Sequence, residues 1–269
     1  MEMHAAATLD RLSLGPRKGR AARLRLGLPG PDAVLGGGLE RDGLHEVRAP
    51  LARGIGAATG LVAALLAQLC RGPRGRVLWV TDPAALPDAG LLCPDGLAQY
   101  GLDPGALTLV HPVDLKSALW AADEGARCTD LAAVVLHVKG NPKLLDRVAT
   151  RRLMIRARDS GVMVLILRQS GAEEANAALT RWRVEPLPSP PDASFPEGIG
   201  LPCHRLVLER SRDGRSGAWS VTWNPKRKTF THGPRQTEQE VSGPRLPAPA
   251  HRPDRPGALG QVVDLRRAT

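Results

Sequence analysis

Valine- and leucine-rich runs of strand length alternate with longer helix-like segments from residue 44 to residue 169, and that order is the signature of a parallel sheet covered by helices. Leu44-His45-Glu46-Val47 reads as a first strand after the turn-forming Gly36-Gly37-Gly38, with a first helix over 59–70 that Gly72-Pro73 stops. Val77-Leu78-Trp79-Val80 reads as the next strand, followed by a proline-rich loop, a short helix over 94–100 and the strand Leu107-Thr108-Leu109-Val110. Asp114 is placed to cap a helix over 115–126, because its carboxylate can accept from first-turn amides. Residues 131–138 and 162–167 are continuous apolar runs, as strands buried on both faces require. The helix expected between them, 143–160, turns Leu145, Val148, Leu153 and Ile155 inward and Arg147, Arg151 and Arg158 outward, and Gly161 ends it.

After Gln169 the alternation gives way to short extended segments, which predicts antiparallel structure beginning with residues 181–186. Leu206-Val207-Leu208 and Trp219-Ser220-Val221-Thr222-Trp223 flank Asp213-Gly214, a strong hairpin signal, and Pro225 closes the ordered part. The expected organisation is one α/β domain over 28–224, a mostly parallel sheet flanked by helices with a C-terminal antiparallel β-hairpin. Disordered basic segments over 1–27 and 225–269 flank it. The formal net charge of +10 sits almost wholly in the ends. Residues 1–25 carry six Lys/Arg against two acids and residues 225–269 carry nine against four, together nine of the ten charges. A nearly neutral middle disfavours a strong electrostatic track for nucleic acid on the folded surface. The tails are either solvated or make weak, salt-sensitive contacts with DNA or a polymerase.

Apolar stretches such as 61–70 and 162–167 fall short of the roughly 20 residues needed to cross a bilayer. Residues 1–30 lack a continuous apolar segment followed by a small-residue cleavage site, so a cytoplasmic protein is expected. Cys70, Cys93, Cys128 and Cys203 are too widely spaced for a zinc site or a disulfide framework, and three of the four, in or beside apolar segments, read as small core residues.

A phosphate-binding loop needs glycines that let the backbone wrap an anion, a lysine for the terminal phosphates and a Ser/Thr hydroxyl for Mg²⁺. Between the first strand and first helix the chain reads Ala49-Pro50-Leu51-Ala52-Arg53-Gly54-Ile55-Gly56. Laid over Gly-x-x-x-x-Gly-Lys-Ser/Thr, Gly54 keeps the second glycine, Ala49 replaces the first, Ile55 the lysine and Gly56 the hydroxyl. Arg53 can supply a charge and a helix N-terminus attracts anions, so feeble phosphate affinity stays open. Little remains to stabilise charge during phosphoryl transfer. Nor does Val134-Val135-Leu136-His137 end in the acid that would hold a metal. Asp82, before Pro83, reads as a turn initiator. No bound cofactor, metal or ATPase activity is expected.

The run Leu35-Gly36-Gly37-Gly38-Leu39-Glu40-Arg41-Asp42-Gly43-Leu44-His45-Glu46-Val47 resembles the opening of a RecA core. More closely, the chain resembles the ImuA family of damage-inducible mutagenesis proteins, relatives of RecA and of the cell-division inhibitor SulA. Gly43-Leu44-His45-Glu46-Val47, Val77-Leu78-Trp79-Val80, Tyr100-Gly101-Leu102-Asp103-Pro104, Ser117-Ala118-Leu119-Trp120-Ala121-Ala122-Asp123-Glu124, Thr150-Arg151-Arg152-Leu153 and Thr180-Arg181-Trp182-Arg183-Val184 carry the likeness, over about residues 28–224. It implies a RecA-like fold and a non-polymerase accessory factor of SOS-induced translesion synthesis. The implied partners are an ImuB-type polymerase-like protein, an error-prone replicative-type polymerase subunit and RecA. Other readings are a weak nucleotide- and DNA-dependent recombinase mediator and a SulA-like inhibitor. Gln169 falls where RecA has a nucleotide-sensing glutamine; without the usual partners it reads as a satisfied loop residue.

Binding by an adaptor requires exposed aromatic or arginine clusters, the residue types that dominate interface hot spots. Arg181-Trp182-Arg183 is one candidate, the alternative being a core tryptophan with solvated arginines on the other strand face. Trp219 and Trp223 share a face, to pack on the sheet or to form a platform for a partner or a base. The Arg147 and Arg151 stripe is the third.

Overall fold

The computed structural model describes residues 22–191 and 197–233; the basic segments 1–21 and 234–269 lie outside the described residues. Structure starts before residue 28. Arg23–Leu24 (β1) pairs antiparallel with Leu39–Glu40 (β2) around the short helix Pro29–Val34 (α1). Leu24, Leu26 and Leu28 are buried, an every-second-residue pattern that marks an extended segment lying on the core. Gly38, at φ +117°, passes so close to the Leu24 carbonyl that any side chain would collide with it.

The main chain of elements is Leu44–Ala49 (β3), Ile55–Leu69 (α2), Arg76–Thr81 (β4), Leu86–Ala89 (α3), Pro94–Gln99 (α4), Leu107–Val110 (β5), Leu115–Arg127 (α5), Leu131–Lys139 (β6), Arg147–Ser160 (α6) and Met163–Gln169 (β7). Thr180–Leu187 (β8), Cys203–Ser211 (β9), Gly217–Asn224 (β10) and Thr229–His232 (β11) follow. Nine of the described strands form one sheet in the order β11-β10-β9-β8-β3-β7-β6-β4-β5. β3, β4, β5, β6, β7 and β8 run parallel and β9, β10 and β11 complete the sheet with antiparallel pairs.

Two expectations about the strands are corrected. The segment beginning at Thr180 does not open the antiparallel region: β8 pairs parallel with β3, His45 opposite Thr180 and Val47 opposite Trp182, and only its other edge meets β9 antiparallel. To run parallel to β7 on the far side of β3, the chain returns along the sheet through residues 170–179, which form no helix. Ten extended residues reach roughly 33 Å, enough for that return. The ordered part also continues beyond Pro225, because β11 pairs with β10 and Phe230 plugs against Trp223 at a ring distance of 4.7 Å.

One face of the sheet is covered by α2, α4 and the N-terminal segment, the other by α5 and α6 over β3, β4, β6 and β7. α2 is apolar nearly all round because it lies against the sheet centre. The helical stretch Ala52–Leu69 has the length and apolarity of a membrane span, with mean hydropathy 1.4, but 67% of it is buried inside the fold. α5 begins at the predicted cap, Asp114 accepting from the Ser117 amide at 2.7 Å, and Gly161 ends α6 at φ +75°.

α6 itself starts later and faces differently than expected. Asp146 caps it, accepting from the Ala149 amide at 2.8 Å. Its buried stripe is Thr150, Leu153, Met154 and Ala157, spaced i, i+3, i+4, i+7, which leaves Val148 and Ile155 on the outer face; Leu145 is buried but precedes the helix. Of the cysteines, only Cys203 is buried; Cys70 is half-buried and Cys93 and Cys128 are exposed.

At the sheet centre Glu46 is a buried charge. Its two oxygens accept from Arg168 Nε of β7 at 2.5 Å, from Arg181 Nε of β8 at 2.7 Å and from Asn176 Nδ2 of the 170–179 strap at 2.6 Å. Burial alone pushes the carboxyl's pKa up, but Arg168 and Arg181 outweigh it and hold it below the ordinary value. Removing the negative partner leaves two buried guanidinium groups facing each other, so Glu46→Gln is expected to destabilise the fold by about 3–5 kcal/mol. Urea denaturation of the two proteins measures the difference.

Candidate functional site

Between β3 and α2 the backbone does not wrap around an anion. After Ala49, buried at the end of β3, Pro50 and exposed Leu51 lead into a 3-10 turn, Ala52–Gly54, that runs directly into α2. The Gly54 amide donates to the Leu51 carbonyl at 2.9 Å and the Ile55 amide to that of Ala52. Two amides that a phosphate would need are thereby committed within the turn. Gly54 has φ −87° and ψ −5°, ordinary right-handed geometry, and Gly56 likewise avoids the positive φ with which glycines wrap a ligand. Arg53 is exposed and Ile55 half-buried.

The neighbouring strand ends complete the picture. β6 passes through His137 and ends at Lys139, which pairs with Asp88 at 2.7 Å. Asp82 accepts from the Ala84 amide at 3.2 Å and so starts the turn after β4. Gln169 is the last residue of β7 rather than a loop residue; its Oε1 accepts from His137 Nε2 at 3.1 Å, while its Nε2, also buried, has no partner. Among the described residues no three His, Cys, Asp or Glu side chains cluster as metal ligands.

A cavity of about 210 Å³ opens between α2, α4 and the ends of β4 and β6. Its wall is mostly apolar, with Ile55, Leu92, Leu97 and Tyr100, and Thr81 and His137 are its buried polar groups. Glycine at 60 lets the Tyr100 ring lie directly against α2, where a Cβ would collide with it. Tyr100 stacks on Trp223 at 4.9 Å, and its hydroxyl meets His204 Nε2 at 3.2 Å. Burial pushes the Tyr100 hydroxyl up to about 12. Sequence reasoning missed this cavity, since its lining comes from five elements far apart in the chain, and only the apolar residues standing at phosphate-site positions hinted at it.

The candidate binding residues are mostly interior. Trp182 is buried, donating from Nε1 to Thr180 Oγ1 at 3.1 Å. Arg181 is buried on Glu46 and Glu173, and half-buried Arg183 binds Glu185 at 2.5 Å and Glu209 at 3.0 Å. Trp223 is buried, donating from Nε1 to the Gln99 carbonyl at 3.0 Å, and half-buried Trp219 packs beside Trp182 at 6.0 Å. Arg181, Trp182 and Trp223 belong to the core, whereas Arg183 and Trp219 keep a partly exposed side. Arg147 and Arg151, by contrast, are exposed on α6.

Sequence reasoning also missed Trp120 on α5, which is 67% exposed. Asp123, one turn beyond it, binds Arg152 at 3.0 Å and Arg156 at 3.8 Å across to α6. α5 and α6 both join parallel strands, so they run side by side in one direction, and the Ser160 hydroxyl, donating to the Ala126 carbonyl at 2.7 Å, sets their C-terminal ends level. Val148, Arg151 and Ile155 form the outward stripe of α6.

Over 229 residues the chain is 33% identical to protein ImuA of Caulobacter vibrioides, in strain NA1000 / CB15N and equally in strain ATCC 19089 / CB 15. The match takes in 78% of this chain and 86% of the relative. The chain belongs to the ImuA family. No protein-family model matches it. The crystal structure of the RadB recombinase superposes on this ImuA-family chain with a TM-score of 0.53 at 19% identity, covering 78% of the chain and 100% of the recombinase. At that identity the likeness establishes the RecA-like fold and nothing further.

Burial holds three histidines neutral. His45 (bonded to Thr180 Oγ1 and the Glu40 carbonyl, each at 2.8 Å), His137 and His204 are each lowered to about 4. The unfolded chain binds protons that the folded chain refuses between about pH 4 and pH 6.5, so stability is full above that window and falls as pH drops through it. At pH 5 unfolding should take up about two to three protons through these side chains. Denaturation midpoints measured across pH 4.5–7.5 should decline accordingly, and less steeply in His204→Phe.

Proposed function

We propose that this ImuA-family protein is a non-catalytic accessory factor of SOS-induced translesion synthesis, acting in the cytoplasm as an adaptor in an error-prone polymerase complex. Its partners in this reading are an ImuB-type polymerase-like protein and an error-prone replicative-type polymerase subunit, with RecA as a further contact. The observation that supports it best is the outer face of α5 and α6. Trp120, Val148 and Ile155 are exposed beside Arg151 in a fold that buries its other tryptophans wholly or in part. Solvated helix faces are normally polar, whereas tryptophan and arginine flanked by aliphatic groups are the composition of a protein-binding hot spot. The committed amides at Gly54 and Ile55, and the lack of lysine, hydroxyl and strand-end acid, support a role without ATP turnover.

Pull-down and biolayer interferometry with a purified ImuB-type protein test the adaptor reading. Association is expected, with Trp120→Ala weakening it about ten-fold or more and leaving the melting temperature unchanged. Absence of association with the wild-type chain at low salt sinks the adaptor role. Isothermal calorimetry with MgATP separates out a recombinase mediator. No heat of binding and no turnover above background are expected, and Arg53→Ala should change neither; ATP hydrolysis that Arg53→Ala removes would favour the mediator.

A further inference from the structure

A cavity lies at the N-terminal end of α2, beside the turn that stands where a phosphate-binding loop would be. At about 210 Å³ it is smaller than the roughly 300–1,000 Å³ of pockets for drug-sized ligands, and larger than the cavities on the order of 150 Å³ that take up benzene. Its wall is apolar, and Gly56, at its rim, faces open space: a Cβ there meets nothing within 4 Å. Thr59, Thr81, His111 and His137 interrupt the apolar wall, and of these His137 is the buried ring with a nitrogen to spare. His137 is 4% exposed and binds Gln169 through Nε2 alone, while its Nδ1 has no hydrogen-bond partner among the described residues. His137 lines the cavity, and Nδ1 is the ring nitrogen left to meet a ligand there. With Nε2 donating to Gln169 Oε1, the neutral ring turns a bare Nδ1 lone pair toward that space.

We propose that this cavity is a binding site for a single aromatic ring carrying a hydroxyl, a phenol-like group whose ring fills the apolar wall and whose O–H donates to His137 Nδ1. A phosphate is disfavoured there twice over, by the apolar lining and by the bare acceptor, which would face an anion with its own lone pair. The ring can arrive as a free small molecule or as a tyrosine side chain from a bound protein; both present the same chemistry. The site does not depend on the adaptor reading, whose surface lies on the opposite face of the sheet.

The test uses the full chain with p-cresol, toluene, N-acetyl-tyrosinamide and MgATP as probes, read by calorimetry and by the ¹⁵N resonance of His137 Nδ1. p-Cresol should bind about five-fold more tightly than toluene, the increment of one neutral hydrogen bond, and should shift the Nδ1 resonance where toluene does not. Gly56→Leu, which places a side chain at the rim without a clash at its Cβ, should weaken p-cresol binding at least ten-fold while the protein stays folded. MgATP should not displace p-cresol. Binding of N-acetyl-tyrosinamide as tight as p-cresol assigns the site to a tyrosine of a partner, and its exclusion assigns it to a free phenol. Equal binding of p-cresol and toluene with an unmoved Nδ1 resonance, undiminished binding in Gly56→Leu, or displacement by MgATP each overturns the proposal. The last would also overturn the reading of a lost nucleotide site, whereas loss of p-cresol binding alone leaves the Trp120 interaction untouched.

Discussion

The architecture turns on one buried carboxylate. Glu46 sits on the central strand, and each of its hydrogen bonds secures a different element: Arg168 ties in β7, Arg181 ties in β8, and Asn176 ties down the strap that carries the chain between them. A parallel strand is normally delivered by a crossover helix that buries its own apolar stripe against the sheet. The strap has little such stripe beyond Ala178 and Leu179, so polar bonds supply the direction that helix packing supplies elsewhere. Arg48 extends the arrangement, binding Glu209 of β9 through Nε and Nη2 and the Gly171 carbonyl through Nη1. Charges in this cluster are balanced by partners on four strands, which makes their burial tolerable.

The C-terminal end of β3 leads into a turn of a different kind. The turn after Ala49 is helical from its start, two of its amides are used internally, and the adjoining strand ends offer a histidine, a glutamine, an ion-paired lysine and Asp82, whose carboxylate accepts from the Ala84 amide. The RecA-like scaffold does not need phosphate chemistry to stand, because its core is the apolar packing of α2 on one face and α5 with α6 on the other. A short helical turn in place of a glycine-rich loop is therefore compatible with a fully packed domain.

Much of this was legible in the sequence. The parallel strands were readable because burial on both faces writes continuous valine and leucine runs, as in residues 131–138, and the cap at Asp114 and the stop at Gly161 follow from single-residue chemistry. Pairing was harder. Thr180 to Leu187 has the local composition of an antiparallel strand, and only its distant partners decide that one edge is parallel. Leu145 precedes α6, so an apolar stripe drawn through it turns Val148 and Ile155 inward, whereas the helix that starts at Arg147 turns them out. Among the candidate residues, Arg181, Trp182 and Trp223 carried interface composition but structural placement. Trp120 stands in a mixed polar and apolar helix whose exposed side is set by the neighbours that cover the rest.

The placement of β3 also has a consequence for synthesis. Its ladder partners are Met163–Gln169 and Thr180–Leu187, and the bond between His45 and Thr180 spans 135 residues of chain. At about 5–20 residues per second, the ribosome leaves the central strand without its sheet neighbours for roughly 6–25 seconds. During that interval an apolar α2 and an ionised Glu46 emerge with nothing to bury the one or neutralise the other. Half of the sheet order is thus decided late, by the last parallel strand to leave the tunnel, and the domain closes from its middle outward only when that strand arrives.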